Sequence, residues 1–291
     1  NTKTNTMKKI IGILSFIMAT ISVCHAQDYT EVKIWPDGLP NSNGRDLTEP
    51  YNDEAGNYEP RIHVFLPPKE KATGRAVLCI PGGGYGTVCY DVEGGSWAPY
   101  FLERGIALIA LKYRLPFGSY ASVPSSDAFE AMRIIRRHAA EWNIDPHKVG
   151  VMGHSAGGHL ASTVATHAVG DAKPDFQILL YPVITMNPSY THMGTHDNLI
   201  GQNPSPEIER YYSNELQVRP NDPTAFLALS NDDSVVPPLN SANYYLALQK
   251  AGVKAAMHIY PTGGHGYGSM PQFEWHKQLY DDLADWLAML E

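Results

Sequence analysis

The chain has 291 residues, of which 43% are hydrophobic and 18% are charged, and its formal net charge at pH 7 is −8. It can therefore bury a large core, and its size suits one α/β domain or two small ones. An acidic surface disfavours nucleic acids, anionic membranes and polyanionic substrates as partners. It is compatible with a neutral polymer or a small ester as substrate.

The predicted elements begin with a secretory signal peptide over residues 1–27. From Met7 the sequence reads MKKIIGILSFIMATISVCHAQ, in which two lysines precede an apolar run of 14 residues. Such a run is too short to span a bilayer but has the length of a signal-peptide core, and small residues follow it. We expect cleavage after Ala26 or Gln27, and we interpret residues 1–6 as extra residues upstream of the start.

This signal predicts export of the mature chain, residues 28–291, to the periplasm or the outside of the cell. Cys24 invites a lipoprotein interpretation, but Val23 stands where lipid attachment favours a small residue, so we expect no lipid anchor. Removal of the signal takes away three lysines and no acid, which makes the net charge −11. Of the cysteines that remain, Cys79 lies in a predicted buried strand, and we expect it and Cys89 to be free thiols.

Short apolar runs then alternate with helical patterns throughout residues 28–291, which predicts a single α/β domain with a mostly parallel central sheet flanked by helices. At the start, the segments EVKIW and RIHVFLP indicate an antiparallel pair of strands. The later predicted strands cover residues 75–80, 105–113, 148–152, 176–181, 224–230 and 255–260. The predicted helices cover residues 125–142, 240–252 and 270–290.

One connection, residues 187–222, does not fit this alternation and is rich in Pro, Asn and Tyr. Because long connections in compact domains usually carry function, we expect a lid or a substrate-binding segment here. His192 and His196 lie in it at a spacing that can bind a metal on a helix. The sequence offers no evident third ligand for such a site, so we predict a polar lid and no metal site.

A run of glycines follows the predicted strand at residues 75–80, in the stretch AVLCIPGGGYG. Glycines free the backbone to point N–H groups at a ligand. A phosphate-binding loop is the competing interpretation, but no Lys-Ser or Lys-Thr pair follows the glycines and the GxGxxG spacing is absent. With a nucleophile later in the chain, the run indicates an oxyanion loop whose donors are the N–H groups of Gly83 and Gly84.

The motif GHSAG, residues 153–157, lies between the predicted strand at residues 148–152 and a helix of small residues. A nucleophile on a sharp strand-to-helix turn requires glycines two positions away on either side, because side chains would collide there. The N-terminus of the new helix offers the N–H group of Ala156 as a further oxyanion donor. Small residues for close packing are the alternative interpretation; we predict that Ser155 is a catalytic nucleophile.

A base and an acid follow the serine along the chain. His265 lies in the loop YPTGGHGYG after the last predicted strand, whereas His154 and His159 flank the serine and are interpreted as structural. The stretch LALSNDDSVVP places Asp232 and Asp233 after the preceding strand. The order Ser, Asp, His is that of the α/β-hydrolase fold. Because side chains alternate at a strand end, only one of the two acids can face the histidine.

With these motifs the chain resembles the secreted carbohydrate esterases of the α/β hydrolases, namely the acetyl xylan esterases and the related feruloyl esterases. The resemblance runs over nearly all of the mature chain and includes IWPDGLPNSNG, PGGGYG, DVEGGSWAPYFLERGIALIALKYRLP, GHSAGGHLA, DDSVVPPLNSANYYLAL and YPTGGHGYG. In that family the acid of the triad lies four residues before the proline of a D-x-x-V-P stretch. The resemblance therefore implies Asp233, rather than Asp232, as the partner of His265.

The resemblance implies a serine esterase that needs no metal or organic cofactor and acts on acetyl esters of xylan or xylo-oligosaccharides, with feruloyl esters of plant cell-wall polysaccharide as the alternative. Tyr85, Trp97 and Tyr190 could offer ring faces to the sugar or the feruloyl group, with core or lid packing as the alternative for each. A peptidase related to prolyl oligopeptidases also stays open, although residues 28–74 are too few for its usual additional domain. A non-catalytic binding module of this fold is a further alternative, but it would normally lack a triad residue, and here all three are present.

Overall fold

The apolar runs of the sequence become the strands of an eight-stranded sheet within residues 28–290, the part of the chain that the computed structural model describes. The predicted signal peptide, residues 1–27 with Cys24, lies outside the described residues. The strands are β1 (Thr30–Lys33), β2 (Arg61–Phe65), β3 (Ala76–Ile80), β4 (Ala107–Lys112), β5 (Val149–His154), β6 (Phe176–Leu180), β7 (Thr224–Ser230) and β8 (Ala255–Tyr260).

The strand order is β1-β2-β4-β3-β5-β6-β7-β8. β1 and β2 pair antiparallel, and β2 pairs antiparallel with β4. All the pairs among β3 to β8 are parallel. The predicted mostly parallel sheet with an antiparallel start is therefore confirmed.

Helices cover both faces of this sheet. The α-helices are α1 (Tyr90–Glu93), α2 (Ala98–Leu102), α3 (Ser122–Arg137), α4 (Ala156–His167), α5 (Met193–Ile200), α6 (Pro206–Tyr212), α7 (Leu239–Lys250) and α8 (His276–Ala288). Short 3-10 turns lie at Arg45–Leu47, Lys69–Lys71, Gly95–Trp97, Gly170–Ala172 and Asn214–Leu216. No helix among the residues described here has both the length and the apolar character that crossing a bilayer requires.

The core is divided by the sheet into two layers, because successive side chains of a strand point to opposite faces. On β3, Leu78 and Ile80 belong to the layer under α3, α4 and α7, while Val77 and Cys79 belong to the layer under α2 and α8. Strands buried on both faces read as continuous aliphatic runs, which is why β3 to β7 were recognisable in the sequence. Cys79 and Cys89 are both free, as predicted.

The predicted boundaries are least accurate for two helices. The helix predicted over residues 125–142 is α3, which begins earlier and ends at Arg137, because residues 138–143 form turns instead. The helix predicted over residues 270–290 is α8, which begins at His276. The residues before it turn back so that the ring of Phe273 stacks on that of Tyr267, with the two ring centroids 3.8 Å apart.

Parallel strands bring their carboxyl ends to the same edge of the sheet, where ligand sites of open α/β sheets form. The glycine run follows β3, Ser155 follows β5, Asp233 follows β7 and His265 follows β8. Residues that lie far apart along the chain therefore meet above this edge.

Candidate active site

Ser155 occupies the turn between β5 and α4 with φ of 52° and ψ of −122°, a backbone conformation that residues other than glycine rarely adopt. The turn leaves no space for side chains on either side of the serine. A Cβ at Gly153 would overlap the carbonyl oxygen of Gly157, and a Cβ at Gly157 would overlap those of Ile80 and Pro81. The two glycines of the motif are thus required by the close approach of α4 to β3 and β5.

Ser155, His265 and Asp233 form a hydrogen-bonded chain. The Oγ atom of Ser155 lies 2.8 Å from Nε2 of His265, and Nδ1 of the same imidazole lies 2.7 Å from Oδ2 of Asp233. The side chain of Asp233 is 1% exposed and that of His265 is 14% exposed, so that solvent barely reaches the carboxylate. A carboxylate accepts the Nδ1–H bond and leaves Nε2 free to accept the serine proton.

The second oxygen of Asp233 is held by its own turn. Oδ1 accepts the backbone N–H groups of Val235 and Val236, both at 2.9 Å. The carboxylate is therefore fixed at both oxygens, one by the imidazole and one by the backbone. This arrangement holds the imidazole in a single orientation relative to the serine.

Asp232, the neighbouring acid, faces elsewhere. Its carboxylate is exposed and accepts the N–H groups of Gly264, at 2.8 Å, and Gly263, at 3.4 Å. It therefore contacts the backbone of the loop that carries His265, not the imidazole. The structure brings Asp233 to the histidine and Asp232 to the loop around it.

The glycine run lies against the serine. A Cβ at Gly82 would come within 2.9 Å of the Cβ of Ser155. Gly83 and Gly84 have φ of 120° and 62°, which aim their peptide groups in directions that other residues would resist. Within residues 28–290, neither glycine donates its N–H group to a protein acceptor. Ala156 begins α4, so its N–H group is one of the unpaired donors of the first turn.

Glu93 and Tyr181 were not predicted to contribute to the site. Glu93 is 4% exposed and accepts the N–H group of Gly82 and the hydroxyl of Tyr181, at 2.8 and 2.9 Å. Burial raises the pKa of the Glu93 carboxyl, and these two hydrogen bonds oppose that shift. In the sequence Glu93 stands two residues after another acid, Asp91, in DVEGG, and no local pattern marks it as the one that would be buried.

The predicted lid segment, residues 187–222, carries α5 and α6 and contacts the glycine run. The side-chain amide of Asn198 donates to the carbonyl oxygen of Gly84 at 2.9 Å. The imidazole of His192 lies close to the glycine run, since a Cβ at Gly84 would be 3.7 Å from its Cε1 atom. The same imidazole caps α5 by accepting the N–H group of Thr195. Burial lowers the pKa of His192, and the nearby His265 lowers it further. Sequence reasoning placed His192 in this segment but not beside the glycine run.

His192 and His196 have separate partners, because Nδ1 of His196 contacts Asp197 at 2.8 Å and Nδ1 of His192 contacts Thr195. Within residues 28–290, no group of three or more His, Cys, Asp or Glu side chains is arranged to hold a metal ion.

Two of the three predicted substrate-binding aromatics are contradicted by their burial. Tyr85 is 1% exposed and its hydroxyl contacts Nδ1 of His159 at 2.9 Å, while Trp97 is 0% exposed within the layer under α2 and α8. Neither ring can present a face to a sugar, so both predictions are wrong. Tyr190 is partly exposed and donates its hydroxyl to Glu215, and its substrate contact stays a prediction.

His154 and His159 are fully buried on either side of the serine turn. Nε2 of His159 donates to the carbonyl oxygen of Tyr212 at 2.7 Å, which ties α4 to the end of α6. The structural interpretation of His159 agrees with these contacts.

A groove of about 810 Å³ lies at the opposite edge of the sheet, where the parallel strands begin, and Arg75, Lys148 and Lys254 line it. The serine and histidine are absent from its walls. Ser155, His265 and the glycine run all lie instead at the carboxyl edge of the sheet.

Known proteins resemble this chain in sequence. The model of the BD-FAE family matches residues 62–248, a range that includes Ser155 and Asp233 and ends before His265. An acetylxylan esterase of Xylanibacter ruminicola is 39% identical over 230 residues, which cover 78% of this chain and 47% of that protein. The endo-1,4-beta-xylanase B of Butyrivibrio fibrisolvens is 34% identical over 260 residues, which cover 82% of this chain and 40% of that protein. The chain therefore spans less than half the length of these two relatives.

A solved structure resembles it over almost the whole described range. The acetyl ester-xyloside bifunctional hydrolase from Caldicellulosiruptor lactoaceticus superposes with a TM-score of 0.77 and 31% sequence identity. The superposition covers 89% of this chain and 95% of that one.

Proposed function

Because the chain belongs to the BD-FAE family and has the α/β-hydrolase fold, we propose that it is a serine esterase that removes acetyl groups from xylan or xylo-oligosaccharides. The observation that carries the proposal is the contact chain from Ser155 Oγ through the imidazole of His265 to Asp233, with distances of 2.8 and 2.7 Å. The names of two relatives, an acetylxylan esterase and an acetyl ester-xyloside hydrolase, support acetyl as the acyl group and xylose as the sugar.

The proposed reaction begins with acylation of the enzyme. His265 accepts the proton of Ser155 at Nε2 while Oγ attacks the carbonyl carbon of the ester. The oxygen that becomes negative is stabilised by the N–H groups of Gly83, Gly84 and Ala156. The intermediate then collapses, the bond to the sugar oxygen breaks, and His265 gives its proton to that oxygen.

Deacylation repeats these steps with water as the nucleophile. His265 takes a proton from the water, the resulting hydroxide attacks the acetyl carbonyl, and the same backbone donors stabilise the second intermediate. Collapse returns the proton to Ser155 and releases acetate. Throughout, Asp233 orients the imidazole and stabilises its charged form, and none of the steps calls on a metal ion or an organic cofactor.

Acetate release from acetylated xylo-oligosaccharides tests the proposal. We expect wild type to release acetate and Ser155→Ala to lose about 10⁴-fold or more of that rate, because the nucleophile is absent. Ser119→Ala is the matched control, since Ser119 is exposed and lies outside the site. Equal rates in wild type and Ser155→Ala would contradict the proposal.

Two parallel assays separate the alternatives. Release of ferulate from a feruloylated arabinoxylan fragment, without acetate release, would favour a feruloyl esterase instead. Hydrolysis of a peptide amide, with neither acid released, would favour a peptidase. We expect acetate to be the main product because the buried positions of Tyr85 and Trp97 remove two of the three rings proposed to hold a feruloyl group.

We also propose that the enzyme is exported, which rests on the signal-like stretch within residues 1–27 alone. Expression of the full sequence in a bacterial host should yield an exported protein whose first residue is Gln27 or Asp28. Sequencing of its N-terminus measures this, and a protein retained in the cytoplasm with residues 7–27 intact would contradict export.

A further inference from the structure

A buried carboxylate lies between the two loops that the proposed reaction uses. Glu93 is the last residue of α1, which sits between the glycine run after β3 and the loop after β8. It is 4% exposed and is not part of the contact chain of Ser155. Among the described residues, its carboxylate accepts hydrogen bonds from the N–H group of Gly82 and the hydroxyl of Tyr181. A charge in such a place is costly unless specific donors compensate it.

One oxygen of this carboxylate holds the glycine run. Oε2 accepts the N–H group of Gly82 at 2.8 Å. A Cβ at Gly82 would lie 2.8 Å from the same oxygen and 2.9 Å from the Cβ of Ser155. Gly82 is therefore enclosed between Glu93 and the serine. Because the hydrogen bond to Glu93 fixes the position of Gly82, it also limits where the next two peptide groups, those of Gly83 and Gly84, can lie.

The other oxygen holds the loop of His265 through Tyr181. The hydroxyl of Tyr181 donates to Oε1 of Glu93 at 2.9 Å and accepts the N–H group of Gly268 at 2.7 Å. The ring of Tyr181 also packs against the imidazole of His265, with 4.9 Å between the two ring centroids and 66° between their planes. Tyr181 is 1% exposed and has φ of 37°, so it is held in a backbone conformation that its environment must maintain.

The backbone beside Glu93 joins the same loop directly. The carbonyl oxygen of Val92 accepts the N–H group of Ser269 at 3.2 Å. A Cβ at Gly268 would overlap this carbonyl oxygen, which shows how closely the loop approaches α1. The helix α1 therefore contacts both loops through its side chain and its main chain.

The hydrogen bonds specify which partner donates. The hydroxyl of Tyr181 donates its proton to Glu93 and accepts the N–H group of Gly268, and the Glu93 carboxylate accepts at both oxygens. An apolar side chain at this position would leave the N–H group of Gly82 and the hydroxyl of Tyr181 buried without partners. A carboxylate has two acceptor oxygens and can satisfy both of these donors.

We propose that Glu93 is a positioning residue for ester hydrolysis, which fixes the oxyanion donors through Gly82 and the loop of His265 through Tyr181. This inference rests on the proposed function, because it concerns the same reaction at the same serine. Glu93 does not touch the reacting atoms. Its effect should appear when the tetrahedral intermediate forms, since oxyanion donors act mainly on the charge that develops there.

Hydrolysis of 4-nitrophenyl acetate and inhibition by phenylboronic acid, which forms a tetrahedral adduct with the serine, test the inference. We expect Glu93→Gln to lower kcat by about 10- to 100-fold with KM changed by less than about threefold. Gln keeps the shape and can still accept from Gly82, but its NH₂ group cannot accept the proton of Tyr181. The inhibition constant of the boronic acid should rise by a factor similar to the loss in kcat/KM.

Tyr181→Phe and the double variant separate positioning from stability. Tyr181→Phe should lower kcat in the same range, and Glu93→Gln/Tyr181→Phe should lose less than the product of the two single losses, because both act through one contact. Tyr244→Phe is the matched control, since Tyr244 is also buried and donates its hydroxyl to Gln177 at 3.0 Å, away from the serine. It should lower the melting temperature and leave kcat unchanged.

The inference is overturned if Glu93→Gln and Tyr181→Phe lower only the melting temperature, as the control does, and leave kcat and boronic acid inhibition unchanged. Multiplicative losses in the double variant would also overturn it. If Glu93→Gln does not fold, Tyr181→Phe, which removes a single oxygen, decides by the same criteria. A folded wild type that hydrolyses no ester would instead overturn the proposed function, and the two failures are therefore distinct.

Discussion

At the scale of single residues, Asp232 and Asp233 show how neighbouring carboxylates acquire different surroundings. Asp233 is buried and contacts the imidazole of His265, whereas Asp232 is exposed and contacts only the backbone of the histidine loop. A buried, hydrogen-bonded carboxylate stabilises a nearby positive charge far better than an exposed one does, because water screens the exposed charge. The two acids should therefore differ strongly in their effect on the reaction.

Asn substitutions at the two positions test this difference. Asp233→Asn should lower kcat by about 10³- to 10⁴-fold, because an amide facing Nδ1 favours the tautomer that cannot accept the serine proton. Asp232→Asn should lower kcat by less than about tenfold, because an amide oxygen can still accept the N–H group of Gly264. The rates are measured with 4-nitrophenyl acetate at saturating concentration. A larger loss at position 232 than at position 233 would reverse the assignment.

Buried histidines beside the serine turn predict how stability depends on pH. Burial lowers the pKa of His159 from its ordinary 6.5 to about 4, and that of His154 to about 3. Below pH 6.5 the unfolded chain binds protons at both residues and the folded chain does not. Their contribution to stability is thus complete above pH 6.5 and is lost as the pH falls towards these lowered values. For His159 the loss is on the order of 3 kcal/mol.

Urea unfolding of wild type and His159→Gln between pH 7.5 and 4.5 measures this contribution. The free energy of unfolding should fall with decreasing pH in both proteins. The slope of the free energy of unfolding against pH should be smaller in the variant by ~1.4 kcal/mol per pH unit, which corresponds to one proton, because one buried imidazole is missing. Parallel curves for the two proteins would show that His159 contributes nothing to the acid sensitivity.

At the scale of elements, the turn from β5 into α4 connects the packing of the sheet to the proposed reaction. The helix approaches β3 so closely that a Cβ at Gly157 would overlap the carbonyl oxygens of Ile80 and Pro81, just before the glycine run. The same approach places the first N–H groups of α4 beside that run. The packing of α4 on β3 and the position of the proposed oxyanion donors therefore depend on each other, because closely packed backbone atoms cannot shift independently.

Gly157→Ala tests this condition. A methyl group there must push α4 away from β3, which should lower kcat by more than about 10²-fold by displacing the proposed oxyanion donor Ala156. It should also lower the free energy of unfolding by about 1–3 kcal/mol, the range for overpacked cores. Gly170→Ala is the control for kcat, because a Cβ at Gly170 meets no atom within 4 Å. Its φ of 57° makes alanine strained there, so this variant should lose stability but keep the kcat of wild type. Wild-type kcat in Gly157→Ala would contradict the argument.

At the scale of the whole molecule, a buried ion network joins the N-terminal segment to the sheet and to α3. Arg114 is 0% exposed and contacts Asp127 of α3 at 2.7 Å and Asp46 of the N-terminal segment at 3.0 Å. The guanidinium also donates to the main-chain oxygen of Asn41 at 2.7 Å. Removal of Asp127 would leave the buried guanidinium with Asp46 as its only carboxylate partner among the described residues. Breaking a buried ion pair in this way destabilises a protein more than the intact pair stabilises it.

Asp127→Ala should therefore lower the free energy of unfolding by about 3–5 kcal/mol. In the folded protein kcat should stay within about threefold of wild type, because the network belongs to the packing of α3 and not to the contact chain of Ser155. Urea unfolding and ester hydrolysis at low temperature measure the two effects. A variant with unchanged stability and reduced kcat would show that the network serves the reaction instead.

The sequence by itself determined the features that depend on local pattern. Continuous aliphatic runs predicted β3 to β7, since strands buried on both faces have no polar alternation. The glycines around Ser155 predicted the sharp turn, and the order of serine, acid and histidine predicted the α/β-hydrolase fold, which is confirmed. Of the two adjacent acids, alternation alone required that one face the histidine, and the family resemblance indicated Asp233.

Only the tertiary structure decided features that depend on contacts between distant segments. Tyr85 and Trp97 look the same in sequence whether they face a substrate or the core, and helix packing buried both. Glu93 and Tyr181 lie 88 positions apart, so nothing local connects them. Their hydrogen bond exists because parallel strands deliver both chain segments to one edge of the sheet, where burial makes each polar group depend on the other.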